Sequence, residues 1–234
     1  METYILKALL CSSVLIVLYY LFLEKEKSFK FNRFYLIFAL LFSYIIPLIS
    51  LKLPAKETPK SGMVFQESVS DMMVIPAQTV ESTIDWSLVL ICIYACVVFL
   101  LLLKSIYSIY KILSLKGNLI RINGQKTKIL VEEISPFSFM ETLCIGKNYI
   151  SVDNGIDERI FLHERVHITQ KHSLDLILLE ILKIISWFNP ALYFYKKAIV
   201  TNHEFLADEH VVSNNFDVPS YQKLILKEIS TRNN

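Results

Sequence analysis

Residues 161–172 read FLHERVHITQKH and contain the pentapeptide HERVH at positions 163–167. Residues four positions apart lie on one face of an α-helix, so His163 and His167 can direct imidazole nitrogens at one metal ion. Glu164 then lies beside the water molecule that such a metal activates. This spacing is typical of zinc metallopeptidases and predicts a catalytic helix. The alternative is an amphipathic helix that carries two surface histidines.

A second stretch, NHEFLADE at 202–209, offers a third zinc ligand. Glu204 and Asp208 share one helix face, and we predict that Glu204 coordinates the metal. Asp208 is expected to accept the free ring N–H of a ligand histidine and to hold its tautomer. Together the two motifs form the gluzincin arrangement. Other ligands remain open at this stage, namely His203, Glu209 and His210, and a solvated carboxylate is the alternative role for Glu204.

His172 follows His167 by five residues, which on a continuous helix places it roughly 140° further around the axis. We therefore expect it to be a weaker candidate for stabilising an oxyanion or supporting a ligand. The alternative is a polar residue at the membrane interface.

The apolar content of the chain, 53%, is too high for an ordinary soluble domain and is concentrated in blocks. Three runs are long enough to cross a hydrocarbon core of about 30 Å, namely Tyr4–Leu23, Phe34–Leu51 and Trp86–Leu103. The predicted fold class is thus an α-helical membrane protein with an α+β gluzincin-like domain. We expect residues 1–104 to form the three-span region and residues 105–234 the zinc metallopeptidase domain.

The distribution of basic residues predicts the orientation. Residues 24–33, EKEKSFKFNR, carry four basic side chains, whereas the much longer loop 52–85 carries only three lysines. The positive-inside rule places the short basic loop in the cytoplasm, and the N-terminus and loop 52–85 outside. Because two full crossings need about 40 residues, the segment between His167 and Glu204 should stay on one side. The membrane-associated segment 173–201 is then an interfacial or re-entrant helical hairpin with a break at Asn189-Pro190.

Short strands are predicted between the third span and the catalytic helix. Residues 118–122 and 126–132 flank Asn123-Gly124 and form a hairpin, since Asn-Gly fits a type I′ turn. Residues 136–140 and 149–152 are two further strands, and an edge strand beside the zinc helix could pair with an extended substrate. A helix is expected from Glu204 to Asn214-Asn215 and another over 221–229. Lys plus Arg at 24 against Asp plus Glu at 22 gives no basic bias for nucleic acid.

Several motifs in this order resemble the membrane metallopeptidase family of the BlaR/MecR beta-lactam signal transducers. They are three spans, SPFSF at 135–139, HERVH at 163–167, WFNP at 187–190 and HEFLADE at 203–209. The resemblance implies Zn²⁺ as cofactor, His163, His167 and Glu204 as ligands, Glu164 as the catalytic residue and Asp208 as a support for a ligand. It also implies a multi-pass protein of the bacterial inner membrane.

In the family, an outside signal is relayed by cytoplasmic proteolysis, so the expected partners are the lipid bilayer and a protein or peptide substrate. A transcriptional repressor and the chain itself are the substrates that the resemblance implies, and a homodimer is compatible with it. The sensing members carry a further span and a penicillin-binding domain after the peptidase, whereas this sequence stops at Asn234, so recognition of a beta-lactam is not expected. The chain is then either part of a longer protein or a member that senses another signal. The alternative function is a non-catalytic signalling scaffold in which zinc only staples helices together.

Overall fold

The computed structural model describes residues 2–49, 85–151, 155–214, 217, 219–223 and 226. Helices predominate in these ranges, and a small sheet lies between the third long helix and the HERVH helix along the chain. Three helices are long and apolar enough to cross a membrane: Thr3–Leu23, Phe29–Leu48 and Trp86–Leu113. The three predicted spans are therefore present as helices that could cross a membrane, with the largest changes in the bounds of the second and third.

The second span begins earlier than predicted. Helix α1 covers Glu2–Leu18 and continues as a π-helical turn over Tyr19–Leu23, and α2 covers Phe29–Ile45. The prediction that all of residues 24–33 form a loop was thus wrong after Ser28, where α2 begins. Asn32 can be buried in this helix although it is polar, because its side-chain amide donates to the carbonyls of Leu23 and Glu26. Such polar side chains find partners inside the protein, which hydropathy alone does not reveal.

The third span is longer than predicted. Helix α3 covers Trp86–Leu113, ten residues beyond the expected end at Leu103. Asp85 caps it by accepting hydrogen bonds from the backbone amides of Ser87 and Leu88. A helix of this length spans roughly 42 Å, more than a hydrocarbon core, so its last turns can emerge from the bilayer. The division of the chain at residue 104 stays a prediction, and α3 continues across it. Loop 52–85, apart from Asp85, lies outside the described residues.

The sheet contains the predicted hairpin. Strands β1 (Gly117–Ile122) and β2 (Gln125–Leu130) are antiparallel, and Asn123 and Gly124 both have positive φ, as a type I′ turn requires. Strand β3 (Phe137–Phe139) confirms the predicted strand at 136–140. The central strand β4 (Thr142–Gly146) was missed, and it pairs in parallel with β2 and antiparallel with β3. The order β1-β2-β4-β3 leaves β3 at one edge of the sheet.

A separate pair of short strands precedes the HERVH helix. Strands β5 (Ile150–Ser151) and β6 (Gly155–Ile156) are antiparallel. The first falls within the strand predicted at 149–152, and the second was not predicted. Helix α4 then covers Glu158–Thr169, α5 covers His172–Ile185 and α6 covers Ala191–Ser213. Helical backbone also occurs at 219–223 and 226, and the rest of the helix predicted over 221–229 lies outside the described residues.

Helices α5 and α6 form the predicted hairpin and pack against the first two spans. The chain breaks at Asn189-Pro190, where the Asn189 side chain accepts from the backbone amide of Ala191 and donates to Ser12. Ser12 lies near the middle of the first span, so the tip of the hairpin reaches well into the depth of that helix. The apolar core between these helices includes Ile16, Leu36, Leu40, Leu179, Leu192 and Tyr195.

The opposite end of the hairpin lies at the turn between α1 and α2. The Asn202 side chain donates to the carbonyl of Phe29, and the Phe29 ring packs against Phe205 at 5.2 Å between centroids. Arg33, in the first turns of α2, forms a 2.7 Å ion pair with Asp175 at the start of α5. The segment of α6 that carries Glu204 therefore lies at the end of the spans where the basic turn joins α1 to α2.

Candidate metal centre

Helix α4 has one apolar face that packs on the sheet and another face that carries the two histidines. The Asp157 carboxylate caps the helix by accepting from the Arg159 backbone amide, which satisfies one of the free N–H groups of its first turn. Phe161 packs on Leu143 and Ile145 of β4, so the apolar side of the helix faces the sheet. The His163 and His167 side of α4 is left facing α6.

The side chains of His163, His167 and Glu204 converge, as the sequence predicts. The Nε2 atoms of the two histidines are 3.3 Å apart, and Oε2 of Glu204 is 3.4 Å from Nε2 of His163. The second carboxylate oxygen, Oε1, is 3.9 Å from Nε2 of His167. One donor atom from each residue lies within 4.8 Å of the others.

These distances suit a tetrahedral zinc ion. Two nitrogens bound at about 2.0–2.1 Å at a tetrahedral angle lie roughly 3.3 Å apart, which is the separation observed between the two Nε2 atoms. Two imidazoles and one carboxylate are a donor set that catalytic zinc uses, with a fourth position left for water or substrate. Within the described part of the chain, the donor group contains three residues.

The outer nitrogen of His163 faces a carboxylate and a hydroxyl. Nδ1 of His163 is 3.1 Å from Oδ1 of Asp208 and 2.9 Å from the hydroxyl of Tyr221. The Tyr221 hydroxyl in turn donates to the same Asp208 oxygen at 2.8 Å. Asp208 is thus within hydrogen-bond distance of the outer nitrogen of His163. Burial opposes protonation of His163, but hydrogen bonds to Asp208 and Glu204 outweigh it and raise the pKa to about 10 in the absence of metal.

The outer nitrogen of His167 faces a buried, neutral environment instead. Its Nδ1 is 2.8 Å from Nδ1 of His172, whose side chain is almost fully buried. Burial lowers the pKa of His167 to about 4 and that of His172 to about 2, and the neighbouring histidines add to both shifts. His167 is therefore neutral at physiological pH and ready to act as a ligand.

The predicted position of His172 was wrong, although its association with the ligands is observed. Helix α4 ends before it, because Lys171 adopts a left-handed conformation with φ of 56°. The chain turns there and α5 begins at His172. His172 consequently contacts His167 directly instead of lying 140° around a continuous helix. The interfacial alternative does not fit a side chain that is 2% exposed.

The rival ligands lie elsewhere. His203 is buried, donates from Nε2 to Asp175 at 2.9 Å and stacks on His172 with 3.8 Å between ring centroids. Glu209 and His210 are exposed on α6 and are not among the grouped donors. Glu164 follows His163 on α4, is partly buried and contributes to the raised pKa of His163 through its negative charge.

Sequence reasoning missed four residues that surround the ligands. They are Tyr221 in the C-terminal segment, Gln170 at the end of α4, Asp175 at the start of α5 and Arg33 in the second span. No short motif relates them to the histidines, and Arg33 was counted only as a charge in a basic loop. The WFNP and HEFLADE motifs do not indicate these contacts.

Comparison with known families agrees with this geometry. The family described as BlaR1 peptidase M56 matches residues 151–234, a range that includes the two histidines, Glu164, Glu204 and Asp208. Among curated proteins, no relative matches the chain. The match implies a peptidase, and together with three apolar helices it supports a membrane-associated metallopeptidase. Over residues 151–234 this chain is thus similar to the BlaR1 peptidase M56 family, which confirms the family resemblance stated from its sequence.

Proposed function

We propose that this chain is a membrane-embedded zinc metalloendopeptidase that cleaves a protein substrate at the membrane surface. One observation carries the proposal: His163, His167 and Glu204 converge at zinc-ligand distances with Glu164 next to the first ligand on α4. The match to a peptidase family over the same residues supports it.

The chemistry divides between the metal and the chain. Bound zinc would supply a Lewis acid that polarises the scissile carbonyl and acidifies a water molecule. Glu164 would accept a proton from a water molecule as the oxygen of that water attacks the carbonyl carbon. When the C–N bond breaks, Glu164 passes the proton to the leaving amine. His163, His167 and Glu204 hold the centre, and Asp208 and His172 orient the two rings.

Strand β3 is the proposed docking edge for the substrate. It pairs with β4 on one side, lies against α4 and is the last strand in the sheet order. The backbone amide of Met140, just after β3, donates to Ser173 Oγ at 3.0 Å, which anchors this edge next to α5. An extended peptide that pairs with β3 would run alongside the HERVH helix.

Replacement of Glu164 by Gln tests the catalytic assignment. The variant should bind one zinc per chain as the wild type does but should lose nearly all turnover, since an amide cannot accept the proton. Purified chain in detergent would be assayed on casein and for self-cleavage, with zinc quantified in the same samples. Glu158→Gln, in the first turn of α4, is a matched control variant and should retain cleavage. Wild-type turnover by Glu164→Gln would refute the role.

The orientation and the signalling role extend the proposal. The metal centre lies at the end of the spans that carries the basic turn, and the positive-inside rule places this end in the cytoplasm. Proteolysis there would relay a signal from outside, with a repressor or the chain itself as substrate. In a background without native cysteines, Ser28→Cys should react with an impermeant maleimide only in inside-out vesicles. Reaction in right-side-out vesicles would reverse the orientation.

A non-catalytic scaffold is the second candidate function. A purely structural zinc site is normally closed by four protein ligands. Among the described residues the donor group has three members, which favours an open, catalytic site over this alternative. Loss of the zinc in Glu164→Gln would favour the scaffold, because Glu164 would then be the fourth ligand.

A further inference from the structure

Arg33 connects a membrane helix to the surroundings of the metal ligands. Its guanidinium donates to three acceptors: Oδ2 of Asp175 at 2.7 Å, the backbone carbonyl of Gln170 at 2.6 Å and the Gln170 side-chain oxygen at 3.5 Å. The arginine lies in the first turns of α2 and is mostly buried, as is Asp175. Lysine could not replace this arginine, because only the planar guanidinium group can donate to three acceptors in this arrangement.

Arg33 fixes which atom of the Gln170 amide faces His172. Arginine only donates hydrogen bonds, so the Gln170 atom that it contacts is the acceptor oxygen. The same oxygen is 3.2 Å from Nε2 of His172. Nε2 of His172 must therefore carry a proton, and in the neutral ring Nδ1 is then the acceptor.

The tautomer of His172 determines the tautomer of His167. Nδ1 of His172 is 2.8 Å from Nδ1 of His167, and one of these two atoms must donate. With His172 accepting, His167 donates from Nδ1 and keeps a lone pair on Nε2. Nε2 is the atom that lies 3.3 Å from Nε2 of His163, where the metal would bind.

A second set of contacts holds the His172 ring in place. Asp175, anchored by Arg33, accepts from Nε2 of His203 at 2.9 Å. The His203 ring stacks on His172 with 3.8 Å between centroids and only 1° between planes. Arg33 thus reaches His172 by two routes, one through Gln170 and one through Asp175 and His203.

We propose that Arg33, on membrane helix α2, is a positioning residue for the metal ligand His167 and acts through Gln170 and His172. The inference rests on the proposed metal centre and adds to it a physical connection between the second span and one ligand. A shift of α2 along its axis would move Arg33, and the acceptor facing His172 would move with it. Metal affinity should therefore depend on a residue that does not touch the metal.

Titration of the full chain in detergent with Co²⁺ tests this connection. The visible absorption of bound Co²⁺ reports both affinity and ligand geometry without any need for turnover. Arg33→Gln should bind Co²⁺ about 10-fold more weakly or worse, as is typical when a partner of a metal ligand is lost. Lys30→Gln removes the same charge three residues earlier from an exposed position and should bind as the wild type does.

A second pair of variants keeps the test decisive if Arg33→Gln does not fold. Gln170→Met removes the acceptor that faces His172, whereas Gln170→Glu keeps an acceptor oxygen. Co²⁺ should therefore bind more weakly to Gln170→Met than to Gln170→Glu. Equal affinities for this pair, or wild-type affinity in folded Arg33→Gln, would overturn the proposal. Failure of the wild type to bind Co²⁺ or Zn²⁺ would instead refute the metal centre itself.

Discussion

His163 and His167 lie one turn apart on the same helix, yet their outer nitrogens meet opposite kinds of neighbour. His163 faces the Asp208 carboxylate and the Tyr221 hydroxyl, in a region where Asp208 is 37% exposed. His167 faces His172, a neutral ring that is 2% exposed. A charged partner and a neutral partner can both fix a tautomer, but they make the two ligands respond differently to protons. The difference can be tested by removing each support separately.

Loss of either ligand should have the largest effect, regardless of its support. His163→Gln and His167→Gln each remove one of three donor atoms, so zinc that co-purifies with the wild type should be absent from both. The loss of affinity should exceed the roughly 10- to 100-fold that follows removal of an outer partner. His210→Gln, an exposed residue on α6, is the control. If either histidine variant held zinc as the wild type does, that residue would not be a ligand.

Protons should compete with metal at the His163 side. The pKa of His163 is raised from 6.5 to about 10 in the metal-free protein, so this ring is protonated at neutral pH and must lose its proton to bind zinc. His167, with a pKa near 4, is already neutral. Zinc affinity should therefore rise about tenfold per pH unit between pH 7 and 9, which corresponds to release of one proton.

Asp208→Asn supplies the contrast for this pH dependence. Without the carboxylate, the pKa of His163 falls and zinc affinity should level off at a lower pH. Buffered chelator competition from pH 6 to 9 would measure both profiles. Parallel slopes for the wild type and Asp208→Asn would contradict the role of Asp208 as the partner that charges His163.

Tyr221→Phe should produce the smallest effect. The hydroxyl bridges His163 and Asp208, but these two side chains also lie 3.1 Å apart and can pair directly. Loss of one hydrogen bond costs about 1 kcal/mol, or about fivefold in metal affinity. Tyr193→Phe, at an exposed position of α6, is the matched control. A loss of more than about 100-fold would instead place Tyr221 among the metal ligands.

Local spacing made the His163 side predictable. Glu204 and Asp208 lie four residues apart on α6, so one helix delivers both a ligand and the partner of a ligand. The Asn123-Gly124 turn was predictable for a similar reason, because two positive φ values are required at adjacent positions. In each case, the residues that matter are neighbours along the sequence.

The His167 side could not be predicted in the same way. Helix α4 ends at a left-handed Lys171, a position usually marked by glycine, so the sequence gives no sign of the turn that brings His172 to His167. Arg33 and Asp175 are 142 residues apart, and only the folded chain brings them together. Strand β4 was missed because an interior strand covered on both sides lacks the alternation of polar and apolar residues.

X-ray absorption at the zinc edge of the zinc-loaded wild type tests the ligand set most directly. We expect two imidazole nitrogens and oxygen donors at about 2.0–2.2 Å, with no sulfur. His167→Gln, if loaded at high zinc, should show one imidazole fewer. A zinc-bound sulfur at about 2.3 Å, such as the buried thiol of Cys144 on β4 would supply, would contradict the assignment of His163, His167 and Glu204 as the ligands. A site without imidazole would contradict it as well.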